Sequence, residues 1–369
     1  QLEYTIYGQY YNVLRQNNKT YNNLFNKEAR FNRFSKAYDK ILKEYSSEKF
    51  KKDGTLKLSV EDDWMEMLNQ EYHVSRIARE RRDMNELALN VLDKPVEELT
   101  TIDKLILKNY TGKGGIGEEG AEILTQYFTD YKTIDFIWRK IEGMGFPIDG
   151  IKALEPSCGI GSFIGLSPEG IDWDAIEIDA TLVEMIKRLY PNVNVMHKSF
   201  EDHNKDNYYD LVITNVPFCN SRGMGLVKDK PDIRKLHDYF ILASMDKLKP
   251  NGMAVLIVPS SFMDSVNPKI REMVSSQAEL LSSYRLPDNV FAKTGADVVT
   301  DILFFRKRVF GTKDEIKEFE NNKLFLKVGF PERFQRPSRQ LPLNEYYMQN
   351  GNNILGSMVE YKNRYGQYI

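Results

Sequence analysis

The sequence predicts a doubly wound α/β domain with a mostly parallel sheet, running from about residue 105 to 310 behind a helical N-terminal domain. Three observations carry this expectation. Short runs of β-branched and aliphatic residues recur along the chain, separated by stretches with helical spacing. The first run ends in a tight glycine-rich turn, Glu155–Phe163. The 369 residues are 41% hydrophobic and 28% charged, ordinary core material for two or three domains.

Residues 1–104 read as a helical domain without strong chemistry of its own. Phe25, Phe31, Phe34, Tyr38, Ile41, Leu42 and Tyr45 recur at helical spacing. Asp53-Gly54 marks a turn, and a basic helix with Arg76, Arg79, Arg81 and Arg82 closes at Asp93-Lys94-Pro95, because proline disfavours helix in the residue before it. Residues 1–60 carry a net charge of +6, so the rest of the chain sums to -8. The basic segment reads either as a solvated helical face or as a surface for phosphates. Lys113-Gly114-Gly115 lies in a glycine-rich loop without the Gly-Lys-Ser/Thr order of a phosphate-binding loop.

The alternating region follows. A helix is expected at Lys132–Gly143, with Ile134, Ile137, Trp138 and Ile141 on one face. Strands are expected at Ile151–Leu154, Trp173–Ile178, Asn194–Met196, Leu211–Thr214, Met253–Val258, Leu280–Arg285 and Asp301–Arg306, with helices at Thr181–Tyr190 and His237–Leu248. Residues 311–369 read as a C-terminal extension, loop-like because of Pro331, Pro337 and Pro342, with a short helix starting within Leu343–Tyr347.

Composition excludes several classes. No run of about 18 apolar residues exists for a membrane-spanning helix, and nothing at the N-terminus reads as a signal peptide. Cys158 and Cys219 cannot form a disulfide framework. His73, His197, His203 and His237 lack metal-ligand spacing, so no metal is expected.

Four sites carry chemistry. In the turn, Gly159 and Gly161 permit a sharp bend and close ligand approach at the end of the first strand, where open α/β sheets bind ligands. Glu155 enters that turn and would repel a pyrophosphate, but it suits a cation such as S-adenosylmethionine (SAM). Glu177, at the end of the next strand, is placed to accept the hydroxyls of a ribose; alternatively, Glu177 or Asp179 caps the helix that follows. Phe200 and Glu201 offer a plane and an acid for an adenine ring. Asn215-Val216-Pro217-Phe218 follows a buried strand. The Asn215 side chain and the Val216 carbonyl can accept both N–H groups of an exocyclic amine, while Phe218 stacks on an extruded base. Methyl transfer then depends mainly on positioning and electrostatics.

Taken together, Glu155–Phe163 resembles the SAM-binding motif of amino-methyltransferases, and Asn215–Phe218 their Asn-Pro-Pro-Phe/Tyr motif. Gln126-Tyr127-Phe128-Thr129 resembles the segment that closes over the methionine end of SAM. Tyr110–Arg308 is similar to the large N6-adenine DNA methyltransferases of phages and mobile elements, some of which continue into a helicase and some of which are related to virion-carried anti-restriction proteins. Further matches lie at Tyr110–Gly115, Phe200-Glu201-Asp202, His237–Phe240, Arg285–Phe291, Leu343–Tyr347 and Ile354-Leu355-Gly356.

The resemblance implies a Rossmann-like SAM-dependent methyltransferase core acting on adenine N6 in DNA. SAM would be bound by Thr129, Glu155, Ser157, Gly159, Gly161, Glu177, Ile178, Phe200 and Glu201. Arg222, Lys228, Lys230, Arg234 and Lys235 would contact DNA phosphates. It also implies a bacterial cytoplasmic or virion location and phage or mobile-element partners for the helical domain; the family's chain normally continues past this tail, so this one is expected to end where a relative's next domain would begin. Departures are Thr214 and Cys219 where the family has glycine, Asp130 where it has proline, and Cys158 where alanine is common. Two other readings keep the fold: a virion structural or injected protein with a vestigial domain, and a methyltransferase of RNA or of protein glutamine.

Overall fold

The computed structural model describes residues 85–112, 128–218, 233, 235–288, 290–291, 298–308, 313–331 and 341–356. The chain divides into two units, Gln1–Gly112 and Lys113–Ile369.

In the first unit, the helix Thr101–Lys108 starts with a reciprocal cap. The Thr100 N–H donates to Asp103 Oδ2 (2.9 Å), and the Asp103 N–H donates back to Thr100 Oγ1 (3.2 Å). Lys94 also reaches the Asp103 carboxylate (2.6 Å). Residue 104, the boundary expected from sequence, lies inside this helix.

The second unit is built on a seven-stranded sheet: β1 Lys152–Glu155, β2 Asp172–Glu177, β3 Asn194–His197, β4 Tyr209–Asn215, β5 Leu248–Pro259, β6 Ala278–Arg285 and β7 Thr300–Lys307. The strand order is β3-β2-β1-β4-β5-β7-β6. Strands β1 to β5 pair in parallel, and β7 runs antiparallel to both β5 and β6. The order reverses between β1 and β4, which opens a crevice at their carboxyl ends.

Both faces are covered. Along β4, Leu211 and Ile213 enter one apolar cluster and Val212 the other, as the two-residue period of a strand requires. Helix α1 (Tyr131–Gly143) buries Ile134, Ile137, Trp138 and Ile141 in the first cluster. Asp130 caps it by accepting from the N–H groups of Lys132 (2.8 Å) and Thr133 (3.2 Å), which gives this departure from the family pattern a structural role. Helix α2 (Ala180–Leu189) follows β2. Helix α3 (Leu236–Lys247) is buried on nearly all sides in the second cluster, together with part of α4 (Lys269–Ser275).

Residues 313–331 and 341–356 fold onto this core. Helix α5 (Glu320–Phe325) buries Phe325, and Asn322 bonds Leu280 N–H (2.8 Å) and Ala278 O (3.0 Å) of β6. A two-stranded sheet, β8 (Val328–Gly329) with β9 (Leu343–Asn344), leads into α6 (Glu345–Gln349). The stretch expected to be loop-like thus contains helix and strand. No helix among the described residues is long and apolar enough to cross a membrane.

Candidate active site

The first strand delivers Glu155 to the crevice with 2% of its surface exposed. The turn after it folds back over β2. The Cys158 N–H donates to Ile176 O (3.0 Å), and the Gly159 N–H donates to Glu177 Oε2 (2.9 Å). Gly159 has φ +56°, and a Cβ there would run into the Phe128 ring. Gly161 has φ +72° and is the N-cap of a short helix. It does not line the cleft. The left-handed backbone favours glycine here, and a Cβ at this position would meet Tyr190 Cε2 at 2.9 Å.

The end of β2 separates the two uses weighed for its acids. Asp179 is the helix cap, accepting from the N–H groups of Thr181 (2.8 Å) and Leu182 (3.3 Å). Glu177 turns into the cleft and accepts from Gly159, Ile178 (2.8 Å) and Asp179 (2.9 Å) N–H groups. Three bonds leave part of a carboxylate's acceptor capacity open toward the cleft. Ile178 beside it is 50% exposed and also lines the cleft.

Strand β4 is tied to the turn. Ser157 Oγ and Thr214 Oγ1 lie 2.8 Å apart, and both hydroxyls approach Asn215 O (3.3 Å each). Thr214, another departure from the family pattern, is fully buried in this link. Asn215 closes β4, and the Val216 N–H continues the pairing to Ile257 O of β5 (3.1 Å).

The cleft has a volume of about 160 Å³. Of the expected residues, Thr129, Glu155, Ser157, Gly159, Glu177, Ile178, Phe200, Glu201, Asn215, Val216 and Pro217 all border it. Phe218 lies against the apolar cluster under α3 and is not part of the lining. Lys235 is exposed just before α3; Arg222, Lys228, Lys230 and Arg234 lie outside the described residues, as do Gln126, Tyr127 and Cys219. Lys198 and Ser199 also line the cleft without having been expected. The available signal was their position between the end of β3 and Phe200.

The electrostatics favour a cation. Burial, reinforced by the charge of Glu177, pushes the Glu155 carboxyl well above the usual range. Burial also raises Glu177, against the backbone donors that lower it. Glu155 Oε2 has no hydrogen-bond partner among the described residues. Three acids, Glu155, Glu177 and Glu201, thus share one cleft whose only basic lining residue, among those described, is Lys198. A ligand carrying an ammonium, a sulfonium, ribose hydroxyls and an aromatic ring fits this set. Cys158 is 4% exposed, and burial raises its thiol far above the range of a nucleophile, so it is a packing residue.

Residues 172–291 match the Eco57I restriction-modification methylase family. Defense against restriction protein B of Escherichia phage P1 is 33% identical over 240 residues, covering 62% of this chain and 10% of that protein. The type I restriction enzyme EcoEI methylase subunit of Escherichia coli is 24% identical over 235 residues, covering 55% of this chain and 45% of the subunit. The chain therefore spans less than half the length of either relative. Among solved structures, a type I restriction-modification methyltransferase subunit from Streptococcus thermophilus aligns over 78% of this chain and 71% of its own, with 13% identity and a TM-score of 0.44. Over residues 172–291, from β2 to just past β6, the chain is thus similar to Eco57I restriction-modification methylases.

Proposed function

We propose that the chain is a SAM-dependent methyltransferase that methylates the N6 amine of adenine in DNA. The observation that carries this reading is that Asn215-Val216-Pro217 and the acids Glu155 and Glu177 border one cleft at the point where strand order reverses. The family match and the restriction-modification relatives support it.

When bound, SAM supplies an electrophilic methyl group on a sulfonium. Glu155 offers a buried carboxylate to its positive charge. Glu177 accepts from ribose hydroxyls while holding the turn through Gly159. Phe200 and Glu201 frame the adenine of the cofactor, and Thr129 bonds the methionine carboxylate. Asn215 Oδ1 and Val216 O accept the two N–H groups of the target amine and hold its nitrogen toward the methyl group, with Phe218 against the extruded base. The Ser157–Thr214 link holds the cofactor turn in register with Asn215. Lys235, with Arg222, Lys228, Lys230 and Arg234, contributes phosphate contacts.

Residues 1–104 are proposed as a partner-binding domain, and the bacterial cytoplasm or a virion as the setting. A second reading, a phage-carried protein without turnover, is favoured by the relative in phage P1. Transfer of labelled methyl from SAM to mixed-sequence DNA decides between them. Label on adenine N6 that disappears in Asn215→Ala is the expected result. SAM binding without label on DNA favours another acceptor or the second reading.

A further inference from the structure

Two segments singled out in the sequence, Arg285–Phe291 and the tail from Leu343 to Gly356, contribute nothing to the lining of the cleft, yet they meet at one residue. Arg285 ends β6 and is 7% exposed. Its guanidinium bonds Asp301 through Nε (2.8 Å) and Nη2 (2.9 Å), bonds Asp264 through Nη1 (2.8 Å), and lies 4.4 Å from the centre of the Tyr347 ring. The Leu355 N–H donates to Arg285 O (2.9 Å), and the Asn344 N–H donates to Asp264 Oδ1 (2.9 Å). The tail therefore straps the end of β6 to the loop that begins at Asp264.

That loop is fixed at further points. Arg271 Nη2 donates to Ser265 O (2.7 Å), Ser265 Oγ to Asn267 O (3.2 Å), and the Lys269 N–H to Asn267 Oδ1 (3.0 Å). On this rigid frame Val266 is 62% exposed, the most exposed large apolar side chain among the described residues. Asn267 and Lys269 beside it are exposed as well. Asp264 is neutralised by Arg285, which leaves Glu272, a turn further along α4, as the exposed acid nearby.

The position of the loop identifies its partner. The cofactor residues come from the ends of β1, β2 and β3, so an acceptor held by Asn215 enters from the other side of β4. The next strand there is β5, joined to the catalytic segment by the Val216–Ile257 bond, and the loop follows β5.

We infer that residues 264–269 form a nucleic-acid contact on the acceptor side, with Val266 against the bases flanking the extruded adenine and Lys269 on a phosphate. This rests on the DNA reading above. An extruded nucleotide leaves a gap that an apolar side chain can fill, and a loop ordered in advance loses little entropy in doing so.

The test measures methyl transfer by the full chain against DNA concentration for the wild type, Val266→Ser and Lys269→Gln, with SAM affinity and thermal unfolding measured alongside. Val266→Ser should raise KM for DNA about tenfold, the scale of burying one apolar side chain. Lys269→Gln should lower the salt dependence of DNA binding by about one unit of slope. SAM affinity and melting temperature should stay unchanged in both. Wild-type KM and wild-type salt slope in the variants would overturn the inference. A wild-type chain that methylates RNA or protein and not DNA would overturn it together with the DNA reading, and that failure appears in the unsubstituted protein.

Discussion

Asp174 and Glu155 lie on neighbouring strands, both almost without exposed surface, and their carboxyl groups are shifted in opposite directions. Burial alone would raise Asp174, but Lys152 (2.9 Å), Tyr209 OH (2.6 Å), Asn194 (2.8 Å) and Lys205 (3.0 Å) surround it and hold it well below the usual carboxylate range. Glu155 has no such partners, and burial next to Glu177 holds it well above that range. The first acid is neutralised by the fold; the second is left for something the fold does not supply. Position in the strand decides which: Asp174 pairs with Leu154 within the sheet, whereas Glu155 opens the turn at the carboxyl edge.

The largest effect that would break this contrast is on the structural acid. Asp174→Ala should cost about 3 kcal/mol of stability in urea unfolding, because the buried Tyr209 hydroxyl and the Asn194 amide lose their acceptor and Lys152 keeps only the exposed Asp172. The folded fraction should still bind SAM. Loss of SAM binding in folded Asp174→Ala would mean that the two acids do not divide these roles.

The same group gives a pH signature. Its folded pKa is depressed, so its contribution is present above the unfolded value of about 3.9 and is lost as pH falls through the folded value. Acid unfolding followed by circular dichroism should be steeper in the wild type than in Asp174→Asn. Equal slopes would remove Asp174 as the cause.

A smaller effect separates the two glycines. Gly161→Ala should cost about 1–2 kcal/mol for the left-handed backbone, with SAM affinity retained in the folded molecules. Gly159→Ala should lower SAM affinity as well, because Gly159 lines the cleft and its N–H holds Glu177. Calorimetric titration of both variants distinguishes packing from ligand approach. Smallest is Ser157→Ala, which should cost about 1 kcal/mol of stability for a lost hydrogen bond, seen as a lower urea midpoint.

The sheet was legible in the sequence because its strands carry near-continuous apolar runs with turn signals between them; each expected strand lies within a few residues of the observed one. β5 was read short. It begins at Leu248 and passes through Pro250-Asn251-Gly252, a turn signal, with Asn251 at φ +62°. Helix α5 and the small sheet escaped because polar residues hold them. Asn322 and Asn344 are fully buried and replace backbone partners, with Asn344 reaching Met263 O (2.8 Å) and Phe325 O (2.9 Å). Hydrophobic periodicity does not register such staples. In the site, the strand-end acids and Asn215 were legible from their order along the chain. The Ser157–Thr214 link and the Tyr190 contact that requires Gly161 were not, since each joins residues far apart in sequence.

On the proposed function, Glu155 Oε2 is kept without a partner for a cationic cofactor. Calorimetric titration of SAM into the wild type and Glu155→Gln between pH 5 and 7, below the titration of the ligand's own amine, tests it most directly. The raised pKa of Glu155 means that its charge, and with it SAM affinity, grows as pH rises. Wild-type binding should strengthen across this range. Binding to Glu155→Gln should be about tenfold weaker at pH 7, about 1.4 kcal/mol, with a flatter pH dependence. Equal affinity and equal pH dependence in the two proteins would contradict this role of Glu155.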